Sequence, residues 1–183
     1  MQTLEDVVEF LTRHQLMLTT AESCTAGLMS GLLADVAGCG KVLESGYVTY
    51  TVGAKHAMLG VSLQTIQTYG LTSEEVAREM AVGALRASAA TIALANTGLA
   101  EADGPMDGVV CFACAMGIEG NIKVISETVK FDGERNAVRR AADPDKMLMS
   151  FLESTYRAAA DLGGWDRTAL ECPMGVPRQP RPL

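Results

Sequence analysis

The sequence is poor in the residues that build several common kinds of site. It contains two histidines, one tryptophan and 5% aromatic residues in 183 positions. With so few histidines, a transition-metal site would consist mostly of cysteine and carboxylate ligands, and we expect no metal site. A Ser-His-Asp triad is excluded unless His56 supplies its base. Histidine is therefore not expected to carry the chemistry.

The chain also lacks long apolar runs and an excess of basic residues. No apolar run approaches the ~18 residues that cross a membrane. The first ten residues are acidic and do not have the pattern of a signal peptide. Because the net charge is −7, we expect neither a nucleic-acid surface nor a membrane surface. The spacing of the five cysteines does not match a disulfide framework, which favours reduced thiols and a cytoplasmic location.

Helical and strand patterns alternate along the chain, which predicts one α/β domain over residues 1–163 with helices on a mixed β-sheet. The patterns of Gly108–Met116 and Ile122–Phe131 predict two strands joined as a hairpin. Residues 164–183, rich in proline and arginine, are predicted to be an irregular tail.

Local signals predict where several helices begin and end. Thr3-x-x-Asp6 predicts an N-cap that opens a helix to about Arg13. Thr72-x-x-Glu75 predicts a capping box that opens a longer helix to about Ala90. A further helix is predicted from Glu134 to about Leu162, with a kink or a restart at Asp143-Pro144.

Residues 18–27, Leu-Thr-Thr-Ala-Glu-Ser-Cys-Thr-Ala-Gly, predict a strand, a tight turn and a helix that opens at or just after Thr25. Amide groups at the N-terminus of a helix lack partners and can hold an oxyanion or a phosphate. Ser23 is therefore either a nucleophile beside an anion site or, like Thr25, a simple helix cap. Cys24 is a second candidate nucleophile, although a buried cysteine is more often inert.

Tyr50 and Lys55 flank the end of a predicted strand and the start of a helix, so they could converge with Ser23 if the two strands are neighbours. A lysine activates a serine only when its amine is neutral, which requires burial or a nearby cation. The alternative is that Lys55 is a solvated helix residue and Tyr50 a core ring.

Other polar residues are weaker candidates. Cys111 and Cys114 form a C-x-x-C pattern, but positions three apart in a strand face opposite sides of the sheet. Arg135 and Arg139 are four apart on one helical face and could bind a phosphate or a carboxylate, or else pair with neighbouring acids. Thr97-Gly98 follows a buried strand and could contact a substrate through its backbone amides.

Taken together, these stretches resemble one family, the C-terminal domain of CinA and its stand-alone relatives, the nicotinamide-nucleotide amidohydrolases. The resemblance is carried in order along residues 4–160 by residues 21–27, Tyr50 with Lys55, and residues 71–77, 95–100 and 131–139. It implies a three-layer α/β/α sandwich on a mixed sheet.

The resemblance also implies hydrolysis of the nicotinamide amide of nicotinamide mononucleotide, with release of ammonia and no cofactor. It makes Ser23 the nucleophile, Lys55 the general base and Tyr50 a helper that relays or orients the proton. The expected partners are a small nucleotide substrate and further copies of the same chain. The residues expected to contact the substrate are Glu22, Cys24, Thr25, Gly27, Thr97, Gly98, Arg135 and Arg139.

The chain departs from the family pattern in two places. Thr51-Val52 replaces the usual Ser-Asn after Tyr50, and an acidic loop with Glu101 and Asp103 replaces a Gly-rich one. If these carboxylates face the pocket, they would repel a phosphate. Two alternatives therefore stay open: a relative that binds nucleotides without turnover, and an amidase whose substrate has no phosphate.

Overall fold

The computed structural model describes residues 3–118, 121–142, 150 and 153–154. Its strands are β1 (Leu18–Glu22), β2 (Leu43–Val48), β3 (Ile92–Gly98), β4 (Val109–Ile118) and β5 (Asn121–Lys130). Its helices are α1 (Leu4–Arg13), α2 (Leu28–Ala34), α3 (Val52–Leu59), α4 (Leu63–Tyr69), α5 (Glu74–Arg86) and α6 (Arg135–Ala141). The predicted tail at 164–183 lies outside the described residues, and so does the predicted helix beyond Ala142 except for residues 150 and 153–154.

The five strands form one mixed sheet in the order β2-β1-β3-β4-β5. Strand β1 pairs parallel to both β2 and β3, whereas β3, β4 and β5 are antiparallel neighbours. The predicted mixed sheet and the predicted β4–β5 hairpin are confirmed. Because β1, β2 and β3 run the same way, their C-terminal ends meet at one edge of the sheet.

Helices cover both faces of this sheet. Residues of α1, α2 and α6 pack with Leu18 and Leu94 in one buried cluster, and residues of α3, α4 and α5 pack with Ala21 and Ala95 in another. The fold is therefore the expected three-layer α/β/α sandwich. Cys111 and Cys114 belong to opposite clusters, as the alternation of a strand predicts.

Small residues let α3 and α5 approach each other and the sheet. Gly83 of α5 lies so close to α3 that an added Cβ would meet the Leu59 carbonyl oxygen at 2.0 Å. Ala81 and Ala84 on the same helix are fully buried, as is Ala93 of β3. Helix α3 is thereby held close to the sheet edge, and it carries Lys55.

Several predicted boundaries differ from the structure. The capping box at Thr3 and Asp6 is confirmed. The cap of α5, however, is Ser73 rather than Thr72, because the Ser73 hydroxyl accepts the Val76 amide. That helix ends at Arg86, before the predicted Ala90. No helix among the described residues is long and apolar enough to cross a membrane.

Candidate active site

The turn that carries Ser23 follows directly after β1 and delays the start of α2 to Leu28. Ala26 and Gly27 both have left-handed backbones, with φ of 52° and 95°. An alanine in this region is disfavoured by contacts of its Cβ, and it persists only where surrounding contacts enforce it. The helix predicted to open at or just after Thr25 begins at Leu28.

Lys55 is brought to Ser23 by the connection between β2 and α3. Thr51 caps α3 by accepting the Ala54 amide, and Lys55 lies on the inner side of the helix with 0% of its surface exposed. Its Nζ lies 2.7 Å from the Ser23 hydroxyl oxygen and donates to the Thr49 carbonyl at 2.6 Å. The predicted convergence of Ser23 and Lys55 is therefore present in the structure.

Burial has a direct effect on the Lys55 amine. Desolvation disfavours the ammonium form and lowers the pKa of Lys55 to about 8, against a smaller opposing effect of Cys24. An amine with a pKa near 8 is partly neutral at neutral pH, and a neutral amine can accept the proton of a serine hydroxyl. Lys55 thus has the protonation behaviour that a general base requires.

Cys24, the other candidate nucleophile, has the opposite behaviour. Burial raises the pKa of its thiol to about 11, despite nearby backbone amides and the positive charges of Lys55 and Arg139. The thiolate is the nucleophilic form of cysteine, and this side chain is almost entirely protonated at neutral pH. Its Sγ donates to Asn96 Oδ1 at 3.4 Å, so the thiol contributes to the packing of the turn.

The Glu22 side chain points into the protein interior. It is fully buried, and its Oε2 accepts the Thr25 hydroxyl at 2.7 Å and the amides of Gly27 and Met29 at 2.8 and 3.0 Å. Its Oε1 accepts the Ser30 amide and hydroxyl at 2.9 and 2.6 Å. The carboxylate thus occupies the N-terminus of α2, where the sequence had indicated room for a phosphate.

Asn96 is a site residue that the sequence analysis missed. It is fully buried near the C-terminal end of β3, and its Oδ1 accepts the Ser23 amide at 3.2 Å. Its Nδ2 donates to the Thr25 hydroxyl oxygen at 2.8 Å. The sequence offers one signal for Asn96, a single side-chain amide within an apolar strand, because a buried side-chain amide needs hydrogen-bond partners.

Arg139 and Arg135 of α6 reach the site in different ways. Arg139 donates to the carbonyls of Cys24 and Thr25 at 2.9 and 3.2 Å. It is therefore bound to the turn over residues 23–27, which we call the serine turn. Arg135 donates to the Tyr50 hydroxyl at 2.8 Å and lies 4.0 Å from the Glu101 carboxylate. Of these two guanidinium groups, that of Arg135 is the more accessible to a ligand.

Tyr50 lies at the rim, 51% exposed, and its hydroxyl is bonded to Arg135. The Lys55 amine bonds to Ser23 and Thr49 instead, so no direct hydrogen bond among the described residues joins Tyr50 to the lysine. The role of Tyr50 in moving or orienting a proton stays a prediction.

Thr97 and Gly98 belong to β3 rather than to a turn. The Thr97 hydroxyl donates to the Leu71 carbonyl at 2.9 Å. Gly98 is packed against β4, where an added Cβ would meet the Val109 carbonyl oxygen at 2.8 Å. Both residues therefore have packing partners, and their predicted contact with a substrate stays a prediction.

Residues 1–150 match the family described as CinA C-terminal domain. The chain belongs to this family. A family of unknown function, DUF5996, also matches residues 130–172, most of which lie outside the described residues.

Relatives and solved structures agree with membership of the CinA C-terminal domain family. The nicotinamide-nucleotide amidohydrolase PncC of Escherichia coli K12 is 39% identical over 163 residues, which cover 85% of this chain and 96% of the relative. A putative competence-damage inducible protein of Caldicellulosiruptor saccharolyticus is 39% identical over 155 residues, and this chain spans only 37% of its length. The crystal structure of a competence/damage inducible protein from Agrobacterium tumefaciens superposes with a TM-score of 0.72 at 35% identity, covering 81% of this chain and 93% of that chain.

The two departures of this CinA-family chain lie at the rim of the site. Val52 is partly exposed in the first turn of α3, after the capping residue Thr51. Glu101 of the acidic loop pairs with Arg135. Within the described ranges, no group of three or more His, Cys, Asp or Glu residues could hold a metal ion.

Proposed function

We propose that this CinA-family chain is an amidohydrolase that converts the carboxamide of nicotinamide mononucleotide to the acid and releases ammonia. The observation that carries the proposal is the 2.7 Å contact between the Lys55 amine and the Ser23 hydroxyl, together with the burial that lowers the pKa of Lys55 to about 8. The relative from E. coli named nicotinamide-nucleotide amidohydrolase supports the reaction class and the substrate.

The reaction proceeds in two steps through a covalent intermediate. Neutral Lys55 takes the hydroxyl proton of Ser23 while Oγ bonds to the carboxamide carbon. The resulting tetrahedral intermediate collapses, the C–N bond breaks, and the lysine ammonium gives its proton to the departing nitrogen, which leaves as ammonia. Water then attacks the acyl-enzyme, again giving a proton to Lys55, and the acid leaves as Ser23 regains its hydrogen.

The tetrahedral intermediate carries a negative oxygen that needs hydrogen-bond donors. The amides of Ser23, Gly27, Met29 and Ser30 are used by Asn96 and Glu22. Those of residues 26 and 28 donate to carbonyls of the turn itself. The amides of Cys24 and Thr25 lie beside the Cys24 sulfur, and we propose that they donate to the oxyanion when a substrate is bound.

The phosphate of a mononucleotide requires a cation near the site. The N-terminus of α2 is occupied by the Glu22 carboxylate, and Arg139 is bonded to carbonyls of the turn. Among the described cations, we propose Arg135 at the rim for this contact, since its planar guanidinium suits a phosphate.

A second candidate function is an amidase for a substrate without a phosphate. It is favoured by Glu101, whose carboxylate lies 4.0 Å from Arg135 and would compete with an anion there. A relative without turnover is the remaining alternative from the sequence. Cytoplasmic location and self-association stay predictions.

The proposed function is tested by measuring ammonia released from nicotinamide mononucleotide by the full chain. Wild type is compared with Ser23→Ala and Lys55→Ala, and exposed Lys41→Ala is the matched control. We expect turnover by wild type and Lys41→Ala and loss of turnover in the other two. Turnover that persists in Ser23→Ala would overturn the mechanism. A folded wild type that releases ammonia only from the riboside would select the second candidate, and no release from either substrate would select a binding protein.

A further inference from the structure

The buried side chains of Glu22, Thr25 and Asn96 form a continuous series of hydrogen bonds that ends at the backbone of Ser23. Thr25 donates to Glu22 at 2.7 Å, and Asn96 donates to Thr25 at 2.8 Å. Asn96 in turn accepts the amide of Ser23 at 3.2 Å. Glu22, Thr25 and Asn96 each have 0% of their surface exposed, so none of them can be reached by a substrate.

The direction of this series of hydrogen bonds is set by the charge at one end. Burial alone would raise the pKa of Glu22, but the hydrogen bonds from Ser30, Thr25 and Met29 together hold it below its ordinary value. The side chain is therefore a carboxylate, which only accepts hydrogen bonds. The single hydroxyl proton of Thr25 must point to Glu22, and its oxygen can then only accept.

The same reasoning fixes the orientation of Asn96. Because the Thr25 oxygen accepts, the Asn96 group that faces it must be the NH₂ group. The amide oxygen of Asn96 then faces the other way, toward the Ser23 amide. If Asn96 were flipped, its NH₂ group would face the Ser23 N–H, which is also a donor. Its amide oxygen would face the Thr25 oxygen, whose only proton already points to Glu22.

We propose that Glu22, Thr25 and Asn96 act as a positioning unit that holds the backbone of Ser23 so that its hydroxyl stays in contact with Lys55. None of the three is a catalytic residue, since each acts through Ser23. The inference rests on the proposed function and adds to it the reason why the nucleophile is held in place. Misplacing a reacting group by about 1 Å can cost on the order of 10²-fold in rate.

The test compares two substitutions of Thr25, one that removes the hydroxyl and one that keeps it. Thr25→Val keeps the shape of the side chain and removes the hydroxyl, so Asn96 keeps only the Met29 sulfur as an acceptor for its NH₂ group and Glu22 loses a donor. Thr25→Ser retains the hydroxyl. We expect kcat for ammonia release to fall on the order of 10²-fold in Thr25→Val with KM within about twofold, and Thr25→Ser to recover most of that loss.

Each outcome decides between the inference and its alternatives. A lower unfolding temperature with unchanged kcat per folded molecule would show that the unit only stabilises the fold, and would overturn the inference. So would equal kcat in the Val and Ser variants. If Thr25→Val does not fold, Asn96→Asp serves in its place, because it keeps the shape but cannot donate to Thr25; wild-type kcat in that variant would overturn the inference. A wild type without ammonia release overturns the proposed function, and the inference with it.

Discussion

The Nζ atom of Lys55 lies 2.7 Å from the hydroxyl oxygen of Ser23, although 32 positions separate the two residues in the chain. The direction of this hydrogen bond depends on the charge of the lysine. An ammonium can only donate, so the serine keeps its proton. A neutral amine has a lone pair and can accept that proton. Under the proposed mechanism, the contact becomes productive when Lys55 is neutral.

Activity is therefore expected to rise with pH. Because burial lowers the pKa of Lys55 to about 8, kcat/KM should increase about tenfold per pH unit well below that value and become constant above it. The measurement is ammonia release between pH 6 and 9.5, with the fold monitored by circular dichroism. Lys55→Arg, which stays charged, should be inactive throughout. A wild-type profile independent of pH would contradict Lys55 as the base.

The protonated thiol of Cys24 should resist alkylation. With its pKa raised to about 11 by burial, less than about 1% of the thiol is ionised at pH 8. We expect iodoacetamide to modify the more accessible Cys39 and to leave both Cys24 and ammonia release unaffected, as judged by peptide mass spectrometry. Rapid modification of Cys24 with parallel loss of activity would indicate that the cysteine is the nucleophile.

Two glycine-to-alanine substitutions should have opposite effects on stability. In Gly83→Ala the new Cβ would meet the Leu59 carbonyl oxygen at 2.0 Å, which forces α3 away from α5. We expect a loss of about 1–3 kcal/mol in the free energy of unfolding and a lower kcat, because α3 carries Lys55.

The matched control is Gly31→Ala in α2, where the new Cβ would have no neighbour within 4 Å. It should stabilise the protein by up to about 1 kcal/mol through helix propensity. Both values can be measured by urea denaturation. Equal stabilities of the two variants would contradict the close approach of α3 and α5.

Glu101 should reduce the affinity of the site for a phosphate. Removing its charge frees Arg135, so Glu101→Gln should lower KM for nicotinamide mononucleotide by up to about fivefold, the range of an exposed ion pair. KM for nicotinamide riboside should not change. Asp103→Asn removes a nearby charge of the same loop that is not paired with Arg135, and serves as the control. An equal effect on both substrates would show that Glu101 does not act on the phosphate.

Local patterns in the sequence predict those structural features that depend only on residues close together in the chain. The capping box of Thr3 and Asp6 and the opposite faces of Cys111 and Cys114 needed only a few adjacent residues. The sequence pattern predicts the cap of α5 at Thr72, one residue before the observed Ser73, because both residue types can cap a helix and their order does not decide between them.

The polar interior of the site could not be predicted in this way. Asn96 binds the serine turn across 73 positions, and nothing near it in the chain indicates that partner. The family resemblance predicts that Glu22 contacts the substrate, whereas in the structure its side chain turns inward to the amides of Gly27 and Met29. Ser23 and Lys55 were brought together by the family resemblance and by the expected neighbourhood of their strands.

A helix N-terminus beside a reactive serine could both position the serine and bind an anionic substrate. In this chain the Glu22 carboxylate occupies the N-terminus of α2. The turn that holds Ser23 already contains the Glu22 carboxylate, so under the proposed function we expect side chains at the rim, such as Arg135 and Glu101, to recognise a charged substrate. We therefore expect substitutions in the loop after β3 to change which amide is accepted and to leave the turn that carries Ser23 unchanged. Selectivity in this chain can evolve without altering its chemistry.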